Sequence, residues 1–227
     1  MLAIGAPPRF ADSVRKGPKM PLDALISTFV TLLLVVDPLG LAPTFLPITE
    51  GLPAKARRQV AARASIIAAV ILSGAAIGGD WLFKTVGISL PAFRIAGGLL
   101  LFSIASEMVF GVRIERQSRA AEQAIEEHVR NIAAFPLAFP LMAGPGAITA
   151  TVLLAGRTNG DLVAFATLLA VICAVVAICY ITFLTAGPVA RGLGTTGNVV
   201  LARLLGVLLA ALAVQYVIDG VRAVLAG

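Results

Sequence analysis

Two short runs carry residue types from which a chemical site can be built. The first, Asp37-Pro38-Leu39-Gly40-Leu41-Ala42-Pro43, places a carboxylate beside two prolines and a glycine. The second, Ala143-Gly144-Pro145-Gly146-Ala147-Ile148, is uncharged but has the same helix-breaking residue types. Proline lacks an N–H and crowds the preceding turn, while glycine tolerates non-helical dihedrals. Each run should therefore interrupt a helix and leave backbone groups without partners. Asp37 can bind a proton, a cation or a substrate amino group, and freed N–H groups at Gly144 and Gly146 can meet a carboxylate. A zwitterion would satisfy both ends. Thr44 and Thr49 follow the first run, Thr149 and Thr151 the second, and Gln215 is a further polar residue in an apolar tract. The threonines can line a polar path or return their hydroxyls to helix carbonyls. The candidate binding set is thus Asp37, Pro38, Gly40, Pro43, Gly144, Pro145, Gly146, Thr149 and Gln215. The competing reading of the two runs is a pair of packed proline kinks.

Other chemistries find little support. His128 is the single histidine and sits in a charged loop, so neither a histidine-based triad nor a multi-histidine metal site can form. Gly192-Leu193-Gly194-Thr195-Thr196-Gly197 matches G-x-G-x-x-G, but it follows an apolar helix rather than a strand and reads as a flexible loop. Cys173 and Cys179, six residues apart on one helix, cannot pair with each other and read as small packing residues. No enzyme signature, metal site or cofactor is expected.

The elements that must position these runs are membrane spans. The chain of 227 residues is 59% hydrophobic and only 13% charged, against about 25% charged in soluble domains. Six apolar segments can be marked, at about 22–48, 62–83, 91–112, 132–156, 161–189 and 199–221. Asp161 and Asn198 can cap the fifth and sixth helices, and Pro91 suits the first turn of the third. Counting in from Leu22 and from Asn131 puts Pro38 and Pro145 at 16 and 14 residues. At 1.5 Å per residue this is roughly 21–24 Å from opposite faces of a core about 30 Å thick. Lipid cannot satisfy freed backbone groups, so breaks at that depth must face protein or a wet cavity. An intramembrane carboxylate such as Asp37 is costly and functional by default.

The formal charge of +6 reflects basic residues flanking the spans, which suits loops at an anionic leaflet and argues against nucleic acid. Without residues 1–20, the first, third and fifth loops hold nine Lys/Arg (Lys55, Arg57, Arg58, Arg63, Arg113, Arg116, Arg119, Arg130, Arg191), against Lys84, Arg157 and Arg222 on the other side. The odd loops should be cytoplasmic and both termini periplasmic; the four basic residues of 1–20 narrow that difference. Residues 1–20 read as a disordered leader, with Met20 an alternative start. Between spans three and four, Arg113–Asn131 carries four Arg and four Glu, with Glu115–Arg119 and Glu126–Arg130 at i,i+4, and reads as a solvated surface helix.

An internal repeat organises the spans. Arg94–Arg113 and Arg203–Arg222 share seven identities in twenty ungapped positions, among them Arg94/Arg203, Gly97/Gly206, Gly111/Gly220 and Arg113/Arg222. The matching segments are the third and sixth spans, so the unit is three helices, and tandem odd units must cross in opposite directions. That is an inverted repeat, as in many secondary transporters, with paired breaks in corresponding spans one and four. The organisation is a leader 1–20, a first repeat 21–112, a charged loop 113–131 and a second repeat 132–227. Four charges near span ends are expected to pair across it, Arg94 with Asp219 and Arg203 with Glu107, unless each snorkels to its own interface. Asp80 and Lys84 at i,i+4 read as interfacial, and Gly74-x-x-x-Gly78 and Gly97-Gly98 as close helix packing.

Four stretches in order, Val35–Thr49 (VVDPLGLAPTFLPIT), Phe93–Met108 (FRIAGGLLLFSIASEM), Phe139–Thr149 (FPLMAGPGAIT) and Ala202–Gly220 (ARLLGVLLAALAVQYVIDG), resemble the MarC family. The resemblance runs from about Pro21 to the end. It implies a six-span, all-α protein of the bacterial inner membrane, similar to a branch described as neutral amino acid transporters. The function expected is a transporter or exporter of small polar solutes, neutral amino acids among them, working by alternating access with a proton or sodium as a further partner. A membrane scaffold or a passive channel are the rivals. Substrate, coupling ion, direction and oligomeric state stay open at this point.

Overall fold

The computed structural model describes residues 22–126, 131–158 and 160–226, and all regular structure within them is helical. In chain order these are α1 (Leu22–Val36), α2 (Pro38–Ile48), α3 (Ala54–Val86), α4 (Leu90–Phe110), α5 (Val112–Glu126), an irregular wound segment (Ala133–Met142), α6 (Pro145–Gly156), α7 (Leu162–Leu184) and α8 (Ala186–Ala226). Residues 1–20 with Met20, His128 and the Glu126–Arg130 spacing lie wholly or partly outside the described residues, and the side chains of Asp80 and Lys84 are outside them too.

Five spans are long and apolar enough to cross a bilayer: Leu22–Ile48, Ala54–Gly79, Leu90–Phe110, Leu162–Leu184 and Thr196–Leu225. Ala133–Met142 with Pro145–Gly156, bent by 58° at their junction, add a sixth when the bent pair is counted as one span. The chain is therefore an all-helical polytopic membrane protein. Its outer surface agrees, since Ile66, Val70, Leu99, Phe102, Val207 and Leu208 are all exposed. In water such a continuous apolar surface would be an aggregation site; in hydrocarbon it is the solvated face.

Local chemistry sets the helix ends. Asp161 accepts from the N–H groups of Val163 (2.8 Å) and Ala164 (3.4 Å) and caps α7 as expected. Ser89 does the same for α4 through Ala92 N–H, with Pro91 in the first turn. Asn198 does not cap. The helix before it continues from Ala186 with one non-helical residue, Gly194 (φ 60°, ψ 178°), so the expected flexible loop at 192–197 is a single-residue break and Asn198 lies buried inside α8. A left-handed φ is open to glycine without a Cβ clash, which is why the interruption falls there.

α4 and α8 form the largest helix–helix interface. They run antiparallel, with Gly220 against Pro91 and Ile95, Gly98 against Ala213 and Val217, and Gly206 against Ala105, Met108 and Val109. A Cβ on Gly98 would stand 2.8 Å from the Ala213 carbonyl oxygen, so glycine is what lets the backbones close. Gly97 packs instead on Thr149 and Leu153 of α6. Gly74 and Gly78 correct the expectation, because nothing lies within 4 Å of a Cβ built on either.

Early and late helices interleave. α2 packs on α7 and α8, while α6 packs on α3 and α4, so the helix that follows each break rests on helices from the opposite end of the chain. Phe45 of α2 stacks on Phe183 of α7 with centroids 4.5 Å apart, and both rings are fully buried.

Candidate functional site

The first break falls at Asp37. Its backbone is left-handed (φ 54°, ψ 65°), a conformation that short polar residues tolerate better than other side chains. Pro38 follows as the first residue of α2, and the Asp37 carboxylate caps that helix, Oδ1 accepting from Gly40 N–H at 3.2 Å. Oδ2 lies against the Gly40 Cα, where any Cβ would collide with it. Asp37 is 4% exposed, so the carboxylate faces protein and not acyl chains.

Arg113, from the first turn of α5, reaches this break. Its guanidinium donates to the Val35 carbonyl at 2.8 Å and to the Met108 sulfur at 3.3 Å, and it is the nearby cation whose field acts on Asp37. Among the described residues no contact within 4.0 Å makes the two an ion pair. Burial pulls the Arg113 guanidinium down from its ordinary range, and the Asp37 charge works against that. Carbonyls at the end of α1 have no helical N–H to accept, and Arg113 supplies one donor.

The second break is longer than expected. The α6 end is as anticipated, with Gly144 (φ −74°, ψ 175°) preceding Pro145 and lying so close to the Pro140 carbonyl that a Cβ would not fit. The irregularity begins at Phe135, however, not at Ala143. Phe135 and Phe139 are extended (φ −132°, ψ 126° and φ −131°, ψ 128°) because each precedes a proline, which excludes the α region.

The two breaks meet. Gly146 sits between Val35 of α1 and Ile104 of α4. Around this point is a cavity of about 360 Å³ lined by Val35, Pro140, Leu141, Met142, Gly144, Pro145, Gly146 and Ala147 and, from α4 and α5, Ser103, Glu107, Arg113, Arg116 and Gln117. Small-molecule sites run from roughly 300 to 1,000 Å³. A smaller cavity of about 180 Å³ lies on the other side of Gln117, lined by Gly40, Pro43, Thr44 and Asn198 among others.

Of the expected site residues, Gly144, Pro145 and Gly146 line the larger cavity, Gly40 and Pro43 the smaller, and Asp37 with Pro38 is buried at the break itself. Thr149 is buried with its methyl against Gly97, away from both cavities. Gln215 is exposed and donates to Asp219 at 2.8 Å, so it lines neither. Thr49 returns its hydroxyl to the Phe45 carbonyl at 2.8 Å, whereas Thr44 faces the smaller cavity.

The expected charge pairs are both replaced. Glu107 pairs with Arg116 of α5 at 2.9 Å, and Asp219 with Arg157 at 3.5 Å, while Arg157 also lies over the Tyr216 ring at 4.4 Å. The reason is rotation about the helix axes. The α4–α8 seam uses positions 91, 95, 98 and 105 with 213, 217 and 220, which turns Glu107 toward α5 and Asp219 toward the end of α6. Arg94 is left half-buried with no acceptor for its Nε–H, and Arg203 is exposed. Because α4 and α8 are antiparallel, the two ion pairs mark opposite ends of the molecule.

Arg113 and Gln117 went unrecognised as site residues. Both are buried, one turn apart, on the inner face of a helix whose other residues, Glu115, Arg116 and Arg119, are exposed. The expected Glu115–Arg119 pair does not form, and the outward-facing Arg116 pairs with Glu107 instead. The available signal was the Arg113/Arg222 identity in the repeat, which loop charge alone explained away.

Comparisons with known proteins agree with this architecture. The chain is 38% identical to a UPF0056 membrane protein of Methanocaldococcus jannaschii over 91% of its own length and all of the relative's. It is 38% identical to one of Aquifex aeolicus, covering 87% and 92% of the two chains. The UPF0056 membrane protein YhcE of Escherichia coli is 34% identical, covering 88% and 92%. No solved structure matches the chain. Residues 22–225 match the family described as MarC family integral membrane protein, and the chain belongs to that family.

Proposed function

We propose that this protein is a transporter or exporter of small polar solutes in the bacterial inner membrane, and not an enzyme. One observation carries the reading: the first span next to its break, at Val35, and the break of the fourth, at Gly144–Gly146, border one cavity with Glu107, Arg113 and Arg116 in its lining. Discontinuous spans that meet between interleaved halves are the arrangement on which alternating-access transport is built. Gly144 and Gly146 at the N-terminus of α6, with Arg113, suit a carboxylate, and Glu107 suits an ammonium group. A zwitterion such as a neutral amino acid fits that polarity. Asp37 is the group that answers the coupling ion, by taking up a proton or by drawing a cation to its side. The α5 side is the cytoplasmic side on loop charge, with both termini periplasmic.

The interleaved packing of α2 on α7 and α8, and of α6 on α3 and α4, supports the inverted-repeat reading as well. Uptake of amino acids into proteoliposomes, with and without a proton or sodium gradient, tests the proposal. Accumulation that Asp37→Asn abolishes supports coupled transport. Uptake without accumulation means a channel, and none across a broad solute panel means a scaffold.

A further inference from the structure

The smaller cavity, about 180 Å³, falls below the size of ordinary small-molecule sites yet is polar in an unexpected way. Thr44, Gln117 and Asn198, from α2, α5 and α8, are each more than nine-tenths buried and all line it. Among the described residues none of their side chains makes a hydrogen bond. A buried amide or hydroxyl costs about 1–3 kcal/mol when left without a partner, so three polar side chains that border one hollow favour a polar occupant in it. Backbone adds to the set. Pro47 has no N–H to give to the Pro43 carbonyl, and both prolines line the cavity. Glu122 contributes a carboxylate from α5, and Gly40 separates the hollow from Asp37 Oδ2.

We infer that this hollow is a monovalent-cation site, separate from the solute cavity and divided from it by Gln117, which lines both. Its donors are oxygens: a hydroxyl, two amide carbonyls, a proline carbonyl and a carboxylate, the set that suits a hard cation over a soft one. The neighbouring Asp37 charge favours a cation there, and Arg113, which opposes it, lines the other cavity and not this one. A solute would enter from the α4 side of Gln117 and the ion from the α2 side. That the ion couples to a solute rests on the transport reading; that it binds does not.

Binding of radiolabelled sodium to the purified full-length protein, with no solute present, tests the site. Saturable binding is expected, displaced by excess sodium and not by choline. Thr44→Val with Asn198→Leu should weaken it by about tenfold or more, the loss expected for one or two ligand interactions. Thr44→Ser, which keeps the hydroxyl, should retain it and controls for folding, as should Ser103→Leu in the larger cavity. No saturable sodium binding by the wild type overturns the inference, as does unchanged affinity in the Thr44→Val, Asn198→Leu protein. Loss on Ser103→Leu in a protein of normal thermal stability would place the ion in the solute cavity and overturn it too. A negative result in this assay leaves solute uptake to be judged by itself, so the two proposals fail separately.

Discussion

Arg113 donates to the carbonyl of Val35, two residues ahead of Asp37, across 78 positions of sequence at 2.8 Å. The connecting helix between the two halves is thereby fastened to the break in the first span. α5 thus closes one wall of the larger cavity, and its charged outer face is only half of its role.

Removing that fastening should be costly. Arg113→Ala leaves the Val35 carbonyl without its donor and Asp37 without the nearby cation. A lost hydrogen bond from a charged group is worth about 1.5–3 kcal/mol. A lower Tm in detergent is expected, and Asp37→Asn in the same chain should recover part of it, since a neutral amide no longer needs the compensation. Additive losses in the double variant would show that the two residues do not act on each other.

Asp37 itself separates conformation from charge. Asn tolerates the left-handed region as Asp does, so Asp37→Asn should fold with a Tm near that of the wild type while losing gradient-driven accumulation. Asp37→Val puts a β-branched residue at φ 54° and should destabilise by about 1–3 kcal/mol. Equal stability of the two variants, by thermal unfolding, would mean that the left-handed turn is not what the chain adopts.

Much of this was legible beforehand, for definite reasons. The spans follow from apolar length, and both breaks from Pro and Gly at mid-depth, because lipid punishes irregular backbone so severely that few sequences carry it without purpose. Side-chain direction was not legible. Glu107 and Asp219 sit near the helix ends expected, but a turn of the helix about its axis sends them to Arg116 and Arg157, and only the glycine seam of α4 and α8 fixes that rotation. The inward face of α5 was hidden for a similar reason, since Arg113 and Gln117 are polar residues on the buried side of a polar helix.

The seam itself can be tested. Gly98→Val would drive a side chain into the Ala213 carbonyl and Val217, and overpacking of this kind costs about 1–3 kcal/mol. Gly74→Ala and Gly78→Ala meet open space and should be neutral or stabilising by up to about 1 kcal/mol. Thermal unfolding of the three variants checks the contrast, and a destabilised Gly78→Ala would reveal packing against a neighbour beyond the single chain.

The two ion pairs at opposite ends predict one-sided access. Arg157 and Asp219 are each about one-third exposed, so breaking their pair should change stability by no more than about 1 kcal/mol. Its effect should fall on accessibility. In a Cys173→Ser background, since Cys173 is the exposed native thiol, Ser103→Cys places a probe in the larger cavity. A membrane-impermeant maleimide should label it from the α5 side only. Adding Asp219→Ala removes the acid that holds Arg157 over the buried Tyr216 ring, and labelling from the opposite side should then rise several-fold as the far end opens more often. Equal labelling from both sides in the parent would mean a continuous pore. No change on Asp219→Ala would mean that the pair ties helix ends together and has no part in closing the path.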